Sequence, residues 1–149
     1  MKTKTINIYS FAELSDTAKE KVREYARNNW PNIGEHYIDD MISSLKALKE
    51  AIGGTLDYSL SIVPDRGEHC SLTGYDAEKL AELVKTAEKC PLTGVCYDMD
   101  VIEGLAAREL ESRVLNTLHA EGDYAYSDEG LDAMFEANEY EFLEDGSLA

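Results

Sequence analysis

Apolar positions along the chain switch between a spacing of two and a spacing of three or four, and the switches mark out the elements. Thr3–Tyr9 alternates Ile6 and Ile8 with polar neighbours and is rich in β-branched residues, which predicts a strand. Ser15 follows as a helix N-cap, with Asp16 in the first turn where the helix dipole favours an acid. Ala18, Val22, Tyr25 and Ala26 then share one helical face, and Pro31 stops the helix near Asn28–Trp30. A second helix is carried by Tyr37, Ile38, Met41, Ile42, Leu45, Leu48 and Ile52, and Gly53-Gly54 end it. Over Thr55–Val63 the period becomes two, with Leu56, Tyr58, Leu60 and Ile62 on one face and Asp57, Ser59 and Ser61 on the other. Pro64-Asp65-Arg66-Gly67 is turn chemistry, so His69–Thr73 returns as the hairpin partner.

Asp76 caps a third helix whose Leu80, Leu83, Val84 and Ala87 share a face, closed by Cys90-Pro91. Leu92–Tyr97 reads as a connector, and Asp100–Leu118 as a fourth helix with Gly104 as a weak point. Ser127 caps a short fifth helix that turns Leu131, Met134 and Phe135 inward, and Asn138 supplies a left-handed stop. Tyr140, Phe142 and Asp145-Gly146 suggest a last strand and a turn. The expected fold is α+β: a small antiparallel sheet of about four strands with about five helices packed on one face. One domain over residues 1–149 is the expectation, long enough to bury roughly two thirds of its unfolded surface.

Charge changes this picture. Thirty acids against fourteen bases leave a net charge of −16. Residues 1–90 hold fifteen acids and twelve bases, whereas residues 91–149 hold fifteen acids and two bases. From Glu121 to Ala149 there are ten carboxylates and neither Lys nor Arg. Tyr124, Tyr126, Leu131, Met134, Phe135, Tyr140, Phe142 and Leu143 are interleaved with them, so the stretch reads as a folded acidic surface and not a disordered tail. Such a balance disfavours direct contact with a phosphate backbone or an anionic membrane. A basic protein or ribonucleoprotein surface is the natural partner, and plain solubility is the alternative account of the acids.

The acids expected to meet that partner, as surrogates for phosphates, are Asp123, Asp128, Glu129, Asp132, Glu136, Glu139, Glu141, Glu144 and Asp145. Tyr124, Tyr126 and Tyr140 do not form a base-stacking platform, because that needs a positive groove beside them. Metal chemistry finds little footing, and no cofactor is expected. Asp98, Asp100 and Glu109 have the outer spacing of a calcium loop, but Ile102 takes a ligand position and Glu103 the position that wants glycine. Cys90 and Cys96 lack the paired spacing of a zinc site. No phosphate loop or nucleophile elbow is present, and His36, His69 and His119 are scattered, which leaves a Cys70–His enzyme as the weakest reading. Three cysteines, no export signal and no apolar run of membrane length give the expectation of a soluble, cytoplasmic protein.

Three stretches carry a resemblance. Ile8-Tyr9-Ser10-Phe11-Ala12-Glu13-Leu14-Ser15-Asp16-Thr17-Ala18-Lys19 resembles the strand and helix entry of a family of small tailed-phage proteins. Leu56–Leu60, leading to Asp65-Arg66-Gly67, Cys70 and Thr73-Gly74, is similar to that family's hairpin. Ser127-Asp128-Glu129, followed by Ala137–Gly146, is similar to its closing helix and finish, whereas Ala87–Val101 departs from it. The family is often labelled an antitoxin of a stability system in phage genomes, and no catalytic residues come with it. The resemblance implies a phage or prophage origin and an interaction protein acting against a host nucleic-acid-handling machine. Taken with the acidic surface, the expectation is an inhibitor of anti-CRISPR or anti-restriction type that works by charge mimicry. An antitoxin-like neutraliser of a basic toxin is the alternative it leaves open.

Overall fold

The computed structural model describes residues 1–86, 92, 94 and 96–149. Among them are six α-helices and four short antiparallel strands, so the mixed α+β class holds. The strands do not join in one sheet, contrary to expectation; they form two separate two-stranded ribbons. The described chain divides into two compact units, one of residues 1–33 and 124–149 and the other of residues 34–123.

The first unit joins the two ends of the sequence. Strand β1 (Tyr9–Ser10) pairs antiparallel with β4 (Glu141–Phe142), Tyr9 opposite Phe142 and Ser10 opposite Glu141. The expected strand over Thr3–Tyr9 is therefore realised only at its end. Its partner β4 is two residues long and runs straight into the Asp145-Gly146 turn, so residues 3–8 have nothing in the unit to pair with. A 3-10 turn (Phe11–Glu13) leads to α1 (Asp16–Asn29), where Ser15 Oγ accepts from the Ala18 N–H at 3.1 Å as expected. Ala18, Val22 and Ala26 are buried, but Tyr25 is turned to solvent, a correction to the predicted apolar face. Helix α6 (Asp128–Ala137) starts on its Ser127 cap and buries Leu131 and Phe135.

Three phenyl rings form the centre of this unit. Phe11 lies 5.0 Å from Phe135 and 6.1 Å from Phe142, and Phe135 lies 6.0 Å from Phe142, in tilted and edge-on arrangements that suit the ring quadrupoles. Trp30 closes the cluster against Phe135 and Tyr140. Gly146, at φ +92°, is required where it stands: a Cβ there would sit 2.9 Å from the Ala18 carbonyl oxygen.

The second unit is helical with a hairpin. Helix α2 (Glu35–Ile52) ends at left-handed Gly53, and Met41, Leu45, Leu48 and Ile52 are buried on one face at the predicted spacing. Strands β2 (Thr55–Ser59) and β3 (His69–Thr73) pair from Thr55 opposite Thr73 to Ser59 opposite His69. Asp76 caps α3 (Ala77–Thr86) through the N–H groups of Glu78 and Lys79; its expected close at Cys90-Pro91, with Ala87, lies outside the described residues. The helix expected over Asp100–Leu118 is two helices, α4 (Asp98–Ala106) and α5 (Leu110–Ala125). The break is a Schellman turn: Arg108 takes φ +61°, its N–H donates to Leu105, and the Glu109 N–H donates to Gly104 at 2.8 Å. Gly104 lets the chain fold back there, since a Cβ on it would press on the Leu110 Cα at 3.3 Å. Among the described residues no helix is long and apolar enough to cross a membrane.

Candidate functional site

Ser10 and Glu13 begin the site. The Ser10 hydroxyl donates to Glu13 Oε1 at 2.8 Å and its N–H reaches the same oxygen at 3.4 Å, which fixes the Glu13 carboxylate beside the end of β1. Opposite Ser10 stands Glu141, exposed because Phe142 next to it is the residue turned inward. The end of α6 supplies the rest. Its cap is a second Schellman turn, in which the Tyr140 N–H donates to Phe135 and the Glu139 N–H to Glu136. The left-handed residue of that turn is Glu139, φ +52°, and not Asn138, which keeps φ −97° and instead donates its side-chain amide to the Met134 carbonyl at 2.8 Å.

These elements enclose a groove of about 520 Å³ with Glu13, Glu136, Glu139 and Glu141 among its walls. Ile8, Tyr9 and Tyr140 line it, over the buried rings of Phe11 and Phe135. Among the described residues, Glu136, Glu139 and Glu141 form no ion pair. Their setting is electrostatically adverse. The C-terminal end of a helix carries negative partial charge and favours Lys or Arg, yet the last turn of α6 has no basic residue and ends among carboxylates. A groove negative from both helix and side chains, flanked by the half-buried Tyr9 and Tyr140, suits ammonium or guanidinium groups.

The other acids singled out in the sequence fare differently. Asp132 is gripped by Arg23, whose Nε donates to Oδ1 at 2.8 Å and Nη2 to Oδ2 at 2.7 Å. The same carboxylate, with Glu20, holds the Arg23 guanidinium yet more firmly protonated than a free arginine. Asp128 pairs with Arg27, and that contact holds its carboxyl below the usual range. Asp145 accepts from the hydroxyl and the N–H of Ser147, at 2.6 and 2.9 Å, and is lowered for that reason. Glu129 is exposed on the first turn of α6, and Glu144 is exposed beside Asp145. Asp123 is exposed on α5 and falls in the second unit.

The nine acids are thus not one array. Three of them share a groove with Glu13, which sequence reasoning passed over, and two are neutralised by arginines 101 and 109 positions away. The charge asymmetry of the sequence also fades on folding. The first unit contains twelve acids and six bases, net −6 over its 59 residues, and the second eighteen acids and eight bases, net −10 over 90.

Cys70 is buried, and burial, followed by the charge of Glu111, pushes its thiol up to about 11. A protonated buried thiol is a poor nucleophile. His69, its neighbour on β3, points to the opposite face, where Nδ1 meets the Gly67 carbonyl at 3.0 Å and Nε2 lies 3.3 Å from Asp57. His119 lies within 2.8 and 3.0 Å of the two Glu68 carboxylate oxygens, and His36 lies against Tyr37 in a tilted ring contact. Asp98 is buried at the start of α4 and accepts from Ser44 Oγ at 2.8 Å. Among the described residues no group of three or more His, Cys, Asp or Glu is placed to hold a metal ion. A second cleft in the first unit, about 340 Å³ between Val22, Tyr25, Trp30 and Leu148, is mainly apolar, with Lys21, Asp145 and Ser147 also in its lining.

No protein-family model matches the chain, and no curated protein or solved structure matches it either.

Proposed function

We propose that this chain is an acidic interaction protein whose groove between β1 and the α6–β4 corner receives Lys and Arg side chains of a basic, nucleic-acid-binding protein surface. The observation behind this reading is the set Glu136, Glu139 and Glu141, which form no ion pair among the described residues and are gathered with Glu13 at the negative end of a helix. Free, the arrangement repels itself; occupied by cations, it is relieved. Local rules are broken in this way mostly where function requires it. The carboxylates stand where phosphates would, so the protein competes with nucleic acid for its partner and blocks it stoichiometrically. The resemblance to small tailed-phage proteins directs the reading toward a host defence complex, of CRISPR or restriction type.

The test is capture from bacterial lysate on the immobilised protein, followed by elution with salt or with duplex DNA. A DNA-binding complex should be retained at low salt and released by either eluant. A Glu136→Gln/Glu139→Gln/Glu141→Gln variant should not retain it. A Glu50→Gln/Glu78→Gln/Glu82→Gln variant, with the same change in net charge on exposed positions elsewhere, should. Equal retention by the two variants would refute the groove.

A further inference from the structure

A strand-forming sequence without a strand is the feature that goes furthest beyond this reading. We infer that the Thr3–Tyr9 arm is a dimer contact, joining two copies antiparallel along the open edge of β1. The β1–β4 ribbon has two strands, so among the described residues no third strand covers the outer edge of β1, where the Ser10 N–H is met only by the Glu13 side chain at 3.4 Å. Such an edge is a template for another strand. The arm ahead of it has the composition to extend that edge: Thr3, Thr5, Ile6 and Ile8 are β-branched, and neither proline nor acid occurs before Glu13. Ile6 and Ile8 are 60% and 54% exposed, an unusual placement for isoleucine that pairing would end.

The occupant argued for is a second copy, because the arm is complementary to itself. Centred on Ile6, an antiparallel pairing sets Ile6 against Ile6 of the second copy, Lys4 against Ile8, and Lys2 against Ser10. Even-numbered residues share a face, so four isoleucines meet in the middle. At each end, the second copy's Lys2 arrives at Ser10, which touches Glu13 and stands opposite Glu141. The arm's cations thus reach acids of the other copy, while most of either molecule would repel its twin. The contact is small for a specific interface, so a dissociation constant in the micromolar range is expected.

Sedimentation equilibrium of the full chain, run without any other partner, tests this separately from the proposed function. The wild type should dimerise, and amides 3–9 should gain hydrogen-exchange protection as concentration rises. Ile6→Lys should weaken dimerisation about tenfold or more with an unchanged urea midpoint, because the residue is exposed in the single copy. Lys2→Glu/Lys4→Glu should weaken it more than Lys46→Glu/Lys49→Glu, which alters net charge equally at exposed positions of α2. A monomer up to about 200 µM, well above the micromolar range of a weak interface, overturns the inference. So does a dimer indifferent to Ile6→Lys, or one equally sensitive to both lysine pairs.

Discussion

Arg23 holds Asp132 with two parallel hydrogen bonds, 2.8 and 2.7 Å, across 109 positions of sequence. The guanidinium also lies 5.7 Å from the centre of the Phe11 ring, so the pair is set against the aromatic core. Both side chains are less than a third exposed, at 17% and 29%, which limits solvent screening. Arg23→Ala should cost about 1–3 kcal/mol by removing both the fork and the packed stem. Asp132→Asn should cost about 1 kcal/mol. Urea unfolding checks both values, and a combined variant no worse than Arg23→Ala alone would show that the pair acts as a unit.

Acid should weaken the first unit through Asp128. Its carboxyl is lowered by Arg27 in the folded chain and has the ordinary value, about 3.9, in the unfolded one. Stability from the pair is therefore present in full above the unfolded value and is lost as pH falls through the lower folded one. The urea midpoint of wild type should drop relative to that of Asp128→Asn over this acid range, and coincident curves would contradict the assignment.

His69 has the opposite sign. The Gly67 carbonyl, and after it Asp57, raises its pKa in the folded chain. What it adds is complete below the unfolded value of about 6.5 and disappears as pH rises through the higher folded value. Titration of its ring protons by NMR should give a midpoint above that of His69 in the urea-unfolded chain, and Asp57→Asn should bring the two closer.

Glu139→Gly separates stability from the proposed activity. A glutamate at φ +52° strains the backbone that glycine would accept without cost, and the change also removes one of several crowded carboxylates. The variant should be stabler by about 0.5–1 kcal/mol and bind its basic partner less well. Greater stability with undiminished binding would remove Glu139 from the groove's working set.

Thiol labelling distinguishes the two described cysteines. Cys96 is exposed, whereas Cys70 is buried and pushed up to about 11. At pH 8, peptide mapping after iodoacetamide should find Cys96 modified in the native protein and Cys70 only after urea. Rapid native labelling of Cys70 would reopen the reading of a nucleophile there.

Local chemistry was legible in the residues and distant pairing was not. The caps at Ser15, Asp76 and Ser127, the Gly53 stop and the β2–β3 hairpin each depend on neighbours a few positions away, so spacing alone reveals them. The break at Arg108 was hidden because a left-handed arginine carries no compositional mark. Charge was legible as a sum but not as a map. Nothing near Asp128 or Asp132 in sequence announces that Arg27 and Arg23 will neutralise them, nor that Glu13 will join Glu141 through the Ser10 register. The arm gives a different lesson: residues 3–8 have the pattern of a strand, and a strand needs a partner that the two-residue β4 is too short to be.

The pairing of β1 with β4 also sets an order of events during synthesis. Residues 1–33 leave the ribosome with half of a core and must wait while residues 34–123 are translated before Phe135 and Phe142 can reach Phe11. At roughly 5–20 residues per second that delay is about 5–20 s, long enough for the intervening unit to fold first. A nascent chain stalled before α6 would have no acid-rimmed groove at all, so the partner proposed for that groove could be engaged only once α6 and β4 are made.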